Sequence, residues 1–172
     1  MQEPYKTRHA VFLDGPIGVG KTTFGQRLAT EFEGCFIDGD DHSHADLPWF
    51  ASSLSTSRSI LRAIFNALAS TRIVFVAYPI RCINWVFFEK NLRVAHVDPV
   101  LVGLQTHQNS IADVNRHRCL SRAELIRSRE MIAQGYGSRH FSNLFIQADA
   151  GTLHEVVQNA KSLLQEELIR PI

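Results

Sequence analysis

Gly15-Pro-Ile-Gly-Val-Gly-Lys-Thr22 decides how this chain is read. The stretch satisfies GxxxxGK[ST] in full, and its surroundings supply the context the pattern needs. Upstream, His9-Ala-Val-Phe-Leu-Asp14 is a short apolar run that stops at Gly-Pro, as a buried strand does. Downstream, Phe24, Leu28 and Phe32 recur at helical spacing, and Gly34 follows as a C-terminal stop. Strand, glycine-rich turn and helix in that order make a cradle for phosphate. The glycines let backbone amides turn inward, and the helix that starts there adds the positive end of its dipole. The expected nucleotide-binding set is Gly15, Gly18, Val19, Gly20, Lys21, Thr22 and Thr23. Lys21 would reach the outer phosphates of ATP, the Thr22 hydroxyl would ligate Mg2+, and Thr23 would bond a phosphate oxygen.

Working outward, strand and helix alternate along the chain. Cys35-Phe-Ile-Asp38, Ile73 to Tyr78, Val97 to Gly103 and Leu144 to Gln147 read as further strands. Helical spacing recurs from Ile60 to Leu68, from about Cys82 to Asn91 and from about Ile111 to Gln134, where Gly135-Tyr-Gly137 breaks it. Residues 39–56 are polar, carry Pro48 and read as a loop. A last helix follows Thr152 and Glu155, which have capping-box spacing, with Leu153, Val156, Val157, Ala160 and Leu164 as its apolar stripe. The pattern predicts an α/β, three-layer P-loop NTPase architecture: a five-stranded parallel sheet with helices on both faces and a lid segment at about residues 111–140.

The chain has 172 residues, 45% of them hydrophobic and 20% charged, which suits one packed domain over residues 1–172. A net charge of +1 gives no drive toward nucleic acid or anionic membrane, so any anion site must be local. No stretch approaches the roughly 18–20 apolar residues of a membrane span, and none resembles a signal region, so a cytoplasmic setting is expected. Cys35, Cys82 and Cys119 lie far apart without metal or redox spacing, and each is expected to be a small buried thiol. Trp49, Phe50, Trp85, Phe87 and Phe88 read as core or pocket wall. Oligomeric state leaves no mark in the sequence.

Acidic residues follow the second strand, in Phe36-Ile-Asp38-Gly-Asp40-Asp41-His42, whereas Ile73 to Tyr78 ends in Tyr-Pro. An acid able to orient magnesium and an acid able to meet a substrate hydroxyl are therefore neighbours, which suits transfer of phosphoryl to a small molecule. Together, the phosphate loop and FIDGDDH resemble the shikimate kinase and gluconate kinase branch of the nucleoside-monophosphate-kinase-like fold. That resemblance implies that Asp38 steers Mg2+ and that Asp40 binds the acceptor hydroxyl and takes its proton. Leu47-Pro-Trp49-Phe is similar to a stretch in gluconate kinases, while the glycine triplet that follows the third strand of shikimate kinases is replaced by Ala77-Tyr-Pro-Ile-Arg81. The implied reaction is ATP-dependent phosphorylation of a hydroxyl on a small metabolite, either a sugar acid or a shikimate-like polyol. A nucleotide-binding regulatory module without transfer activity and a nucleoside or nucleotide kinase remain alternatives.

From Asn91 to Ala160 there is no lysine, yet Arg93, Arg116, Arg118, Arg122, Arg127, Arg129 and Arg139 are present. Guanidinium groups bind phosphate and carboxylate with two parallel bonds, as a lid over a transferring phosphoryl group needs. On one unbroken helix over 116–134, Arg118, Arg122 and Arg129 would share a face and Arg116 and Arg127 would point away. Arg118 and Arg122 are the expected charge stabilisers. His42, Arg58, Arg81, Arg129 and Arg139 join Asp40 as expected acceptor contacts, with Arg62 an alternative to Arg58. Gln147 to Thr152 is expected to flank the adenine ring.

Overall fold

The computed structural model describes residues 7–43, 49–111 and 119–169, and for 49–52 the backbone alone. Five strands form one parallel sheet in the order β2-β3-β1-β4-β5: β1 (Arg8–Asp14), β2 (Cys35–Asp38), β3 (Ile73–Ala77), β4 (Val97–Gln105) and β5 (Leu144–Gln147). Central strands covered on both faces need apolar side chains at every position, which is why β1 and β3 are continuous hydrophobic runs. Val11, Leu13 and Phe75 enter one core with Phe24 and Leu28 of α1 (Lys21–Glu31) and Val157, Ala160 and Leu164 of α6 (Leu153–Ile169). Ala10, Phe12, Val74 and Val76 enter the other with Ile60 and Ile64 of α2 (Trp49–Ala67) and Trp85 and Phe88 of α3 (Cys82–Val94). Two shorter helices, α4 (Gln108–Ile111) and α5 (Arg122–Ala133), lie between β4 and β5.

After β1 the chain goes to one face of the sheet, and after β3 to the other. The crevice between the carboxyl ends of these adjacent strands is thus a topological switch point, where open α/β sheets hold their ligands.

Several local expectations are corrected. The left-handed residue that ends α1 is Glu33 at φ 52, while Gly34 lies so close to β3 that a Cβ there would stand 2.6 Å from the Ile73 carbonyl oxygen. Within 39–56, a 3-10 turn at Gly39–His42 follows β2, and α2 already begins at Trp49. Its serine-rich first turns hid it, because Thr56 and Ser57 are buried rather than exposed, Ser57 accepting from Asn84 of α3. α5 starts only at Arg122, with Ser121 and Glu124 forming a reciprocal capping box. Cys82 and Cys119 are exposed, and only Cys35 is half-buried. The expected box at Thr152 and Glu155 is formed, Trp85 and Phe88 are core, and the Trp49 and Phe50 side chains lie outside the description.

Gly135-Tyr-Gly137, after α5, returns the chain to the sheet. Gly137 has φ 81, and a Cβ on it would fall 2.3 Å from the Leu104 carbonyl oxygen, so strain and overlap coincide there. Gly137→Ala should destabilise the fold by about 2–3 kcal/mol, read from the urea unfolding midpoint.

Candidate functional site

The loop from Gly15 to Gly20 leaves β1 and feeds α1. Gly18 at φ 82 and Gly20 at φ 100 hold left-handed backbone that residues with a Cβ rarely adopt. Gly20 is the N-cap of α1 and offers no side-chain cap, and the first turn itself holds no acidic residue to meet the positive helix end. Lys21 Nζ donates to the carbonyl oxygens of Gly15 and Pro16, each at 2.9 Å. Loss of water pushes its ammonium below the usual lysine value, while the carboxylates of Asp14, Asp40 and Asp38 pull it back up. The Thr22 hydroxyl donates to Asp38 Oδ2 at 2.8 Å, and Asp38 Oδ1 accepts the Asp40 amide at 3.1 Å. A hydroxyl and a carboxylate oxygen side by side are the hard donors that suit Mg2+.

Two cavities open at this edge of the sheet. The larger, of about 510 Å³, follows residues 17–24 and ends between Ile111, Leu120, Ala148, Leu153 and Val156. The smaller, of about 270 Å³, runs past Ser43, Ser53, Tyr78, Arg81, Asn84, Arg127 and Tyr136. Ile17, Lys21 and Asp40 border both.

The residues expected around the phosphates, from Gly18 to Thr23, line the larger cavity. Gly15 lies beneath, where a Cβ would be 2.9 Å from the Leu104 carbonyl oxygen. Of the expected acceptor contacts, Asp40 and Arg81 reach the smaller cavity. Among the described residues bordering the two cavities, Arg58, Arg62, Arg122, Arg129 and His42 are absent: the four arginines are exposed, and His42 Nδ1 lies 2.8 Å from Ser59 Oγ. Arg118 lies outside the described residues, as does Arg116. Arg139 belongs to the frame: its Nε donates to the Ile80 carbonyl at 3.1 Å, Nη1 donates to that of Gln134 at 2.8 Å, and the guanidinium stacks 4.1 Å from the Tyr136 ring centre.

The α5 arginine that faces the smaller cavity is Arg127, which sequence phase had pointed away from the others. Ser128, beside it, is buried and donates to the Ile17 carbonyl at 2.8 Å, fixing the helix's rotation against the phosphate loop. Tyr136 was missed as well: its hydroxyl accepts from Arg81 Nε at 2.8 Å and so aims that guanidinium. Burial pushes the Tyr78 phenol up, against the lowering pull of Arg81 and with Asp40 adding to the rise, so it stays a neutral donor in this wall.

Asp14 carried no sequence signal beyond ending the strand. Its carboxylate, fully buried, accepts the amides of Ile80 and Gly137, each at 2.8 Å, and lies 3.7 Å from Arg139 Nε. Burial pushes the carboxyl up, and those two amides, Arg139 and Lys21 hold the rise in check.

Asp149, after β5, gathers the His107 amide at 2.9 Å, the His107 ring at 3.0 Å and the Thr106 hydroxyl at 3.2 Å, and Gln147 also donates to it. Burial works to raise this carboxyl, but bonds from Ser110, His107 and Gln147 outweigh it and hold the group well below the usual carboxylate range.

With this geometry in hand, the chain can be set beside known proteins. No protein-family model and no curated protein matches it. Solved structures do. A gluconokinase from Sinorhizobium meliloti 1021 superposes with a TM-score of 0.67 at 18% identity, over 94% of this chain and 96% of that one. The fold is that of the P-loop kinases. Shikimate kinase from Acinetobacter baumannii in complex with shikimate gives 0.62 at 20% identity, over 96% and 97%. The APS kinase of Mycobacterium tuberculosis in complex with AMPPNP and APS gives 0.64 at 16%, over 92% and 98%. The resemblance seen in the phosphate loop and FIDGDDH thus extends to the fold over more than nine-tenths of the chain, 94% for the gluconokinase and 96% for the shikimate kinase. Among the described residues, no helix is long and apolar enough to cross a membrane.

Asp14→Asn keeps the shape but turns a donor toward one of two buried amides, so it should lower stability by about 1–3 kcal/mol in chemical denaturation. The Asp149 carboxyl is depressed in the folded state, so its contribution to stability is present above the unfolded value and fades as pH falls below it. Between about pH 4 and pH 2, the wild-type melting temperature should therefore drop more steeply than that of Asp149→Asn.

Proposed function

We propose that this protein is an ATP- and Mg2+-dependent kinase that phosphorylates a hydroxyl of a small hydroxylated acid. The observation that carries the reading is the junction of the two cavities at Lys21 and Asp40. On one side lies a loop built for phosphates, with an apolar recess beyond it for the base. On the other lies a chamber whose wall includes two guanidinium groups, two phenols, two serines and an amide, a mixture that suits a compact anion bearing hydroxyls.

In this reading the nucleotide's base rests between Ile111, Leu120 and the segment from Ala148 to Leu153, and its phosphates follow Gly18 to Thr23. Lys21 exchanges the Gly15 and Pro16 carbonyls for the oxygens of the transferring group, where its charge offsets the negative charge that spreads in the transition state. Thr22 and Asp38 would hold Mg2+, which when bound neutralises and orients the outer phosphates. Asp40 accepts the proton of the acceptor hydroxyl as that oxygen bonds to the terminal phosphorus and the bond from phosphorus to the ADP oxygen breaks. Arg81, aimed by Tyr136, and Arg127, on α5, hold the acid end of the acceptor.

Gluconokinase, shikimate kinase and APS kinase among the similar folds support the class of reaction but not a particular acceptor. A small-molecule acceptor and supply of MgATP accord with a cytoplasmic setting, with no role for nucleic acid or membrane.

The test is a screen for acceptor-dependent release of ADP across sugar acids, shikimate-like polyols and nucleosides, run on wild type and Asp40→Asn. Asp40→Asn should lower turnover by about 10²–10⁴-fold while MgATP affinity, measured by calorimetry, changes by less than about threefold. Tight MgATP binding with no acceptor-dependent turnover would move the assignment to a regulatory module, and turnover confined to nucleosides would move it to a nucleoside kinase.

A further inference from the structure

One polar cluster is not used by that mechanism. Asn84, in the first turn of α3, is 4% exposed, and its Nδ2 donates to both Ser53 Oγ and Ser57 Oγ on α2, each at 3.0 Å. Ser57 is 1% exposed and does not line the smaller cavity, whereas Ser53 and Asn84 do. A buried amide between two serines at a helix–helix contact is costly where hydrocarbon would pack equally well, unless the polar group has another use. With both amide hydrogens committed to the serines, the side chain's remaining hydrogen-bonding capacity is its carbonyl oxygen, an acceptor with two lone pairs. Asn84 belongs to the wall of a chamber that also holds Asp40, Arg81 and Arg127.

We infer that Asn84 is a specificity-determining residue of the acceptor chamber: its carbonyl oxygen receives a hydrogen bond from a hydroxyl of the acceptor other than the one phosphorylated. The inference rests on the kinase reading for the identity of the chamber and adds a third point of recognition to it. The guanidinium groups take the acid end, Asp40 takes the reacting hydroxyl, and Asn84 takes a second hydroxyl. Three fixed points define which hydroxyl meets the phosphorus, since a carboxylate anchor and one hydroxyl contact leave the molecule free to turn about the line joining them. Ser53 and Ser57 act as positioning residues, because both accept from the amide nitrogen and so leave the oxygen to be offered. The structure also explains why a polar pair is placed at the α2–α3 contact: a pocket built to hydrogen-bond a hydroxyl rejects an analogue lacking it far better than an apolar wall can.

The experiment compares D-gluconate, shikimate and the singly deoxygenated forms of each as acceptors for wild type, Asn84→Ala and Ser57→Ala. Wild type should prefer one hydroxylated acid over one of its deoxy forms by at least about tenfold in kcat/KM. Asn84→Ala should bring that ratio near one, with KM for ATP unchanged, and Ser57→Ala, the milder change, should lower the ratio part-way. A ratio the same in all three proteins, with only the melting temperature reduced in the variants, would overturn the inference and leave Asn84 as glue between helices. Should wild type turn over none of the panel, binding of the same acids by calorimetry in the presence of AMPPNP decides the inference separately from the kinase reading. Loss of hydroxyl discrimination in Asn84→Ala would still support it, and absence of binding by every acid would overturn it.

Discussion

A single carboxylate, that of Asp14, sets the geometry of the carboxyl edge of the sheet. Three groups from two segments converge on it: the Ile80 amide in the turn after β3, and the Gly137 amide and Arg139 guanidinium in the return loop after α5. A charge with no access to water is tolerable only where donors surround it, so these three cannot drift independently of β1. Because Gly15 is the next residue, the first bend of the phosphate loop is held in register with everything that Asp14 binds.

This arrangement joins the phosphate loop to the chamber beside it. Arg139 bonds to Ile80 and stacks on Tyr136, and Tyr136 in turn receives Arg81. A run of contacts therefore leads from the buried end of β1 to a guanidinium in the wall of the smaller cavity. On the far side, Ser128 fastens α5 to the Ile17 carbonyl, and Arg127, one residue earlier, faces the same cavity. Rotation of α5 is thus tied to the loop that would hold the nucleotide, and the two sides of the proposed transfer share one frame.

The parts of this frame visible in the sequence are those whose causes are local. The phosphate loop is legible because glycines, lysine and threonine act through adjacent backbone, and the strands because a doubly covered sheet needs unbroken apolar runs. Asp38 and Asp40 were legible as neighbours on one short turn. Asp14 was not, since its partners Ile80 and Gly137 lie 66 and 123 residues away. Arg127 was hidden because helical spacing gives relative phase but not which face turns inward: Arg122 and Arg129 do share a face, but it is the exposed one, and Arg127 is the arginine that reaches the cavity. The start of α2 was hidden by serines that look solvated in a linear reading and are in fact paired with Asn84. Arg139 looked like a ligand-binding cation because nothing in the sequence shows that a buried carboxylate already holds it.

The recess at the far end of the larger cavity has a chemical corollary. Apart from Glu124, whose carboxylate accepts the Ser121 amide, its side-chain wall is Ile111, Leu120, Ala148, Leu153 and Val156, all hydrocarbon. A purine placed there gains dispersion and loses water whichever exocyclic groups it bears, so these side chains grip the ring without telling an amino substituent from a keto one. In the proposed reading, fidelity toward one purine falls to carbonyl and amide groups of the main chain, and residue exchanges among the five apolar walls would tune how tightly the base is held more than which base is chosen.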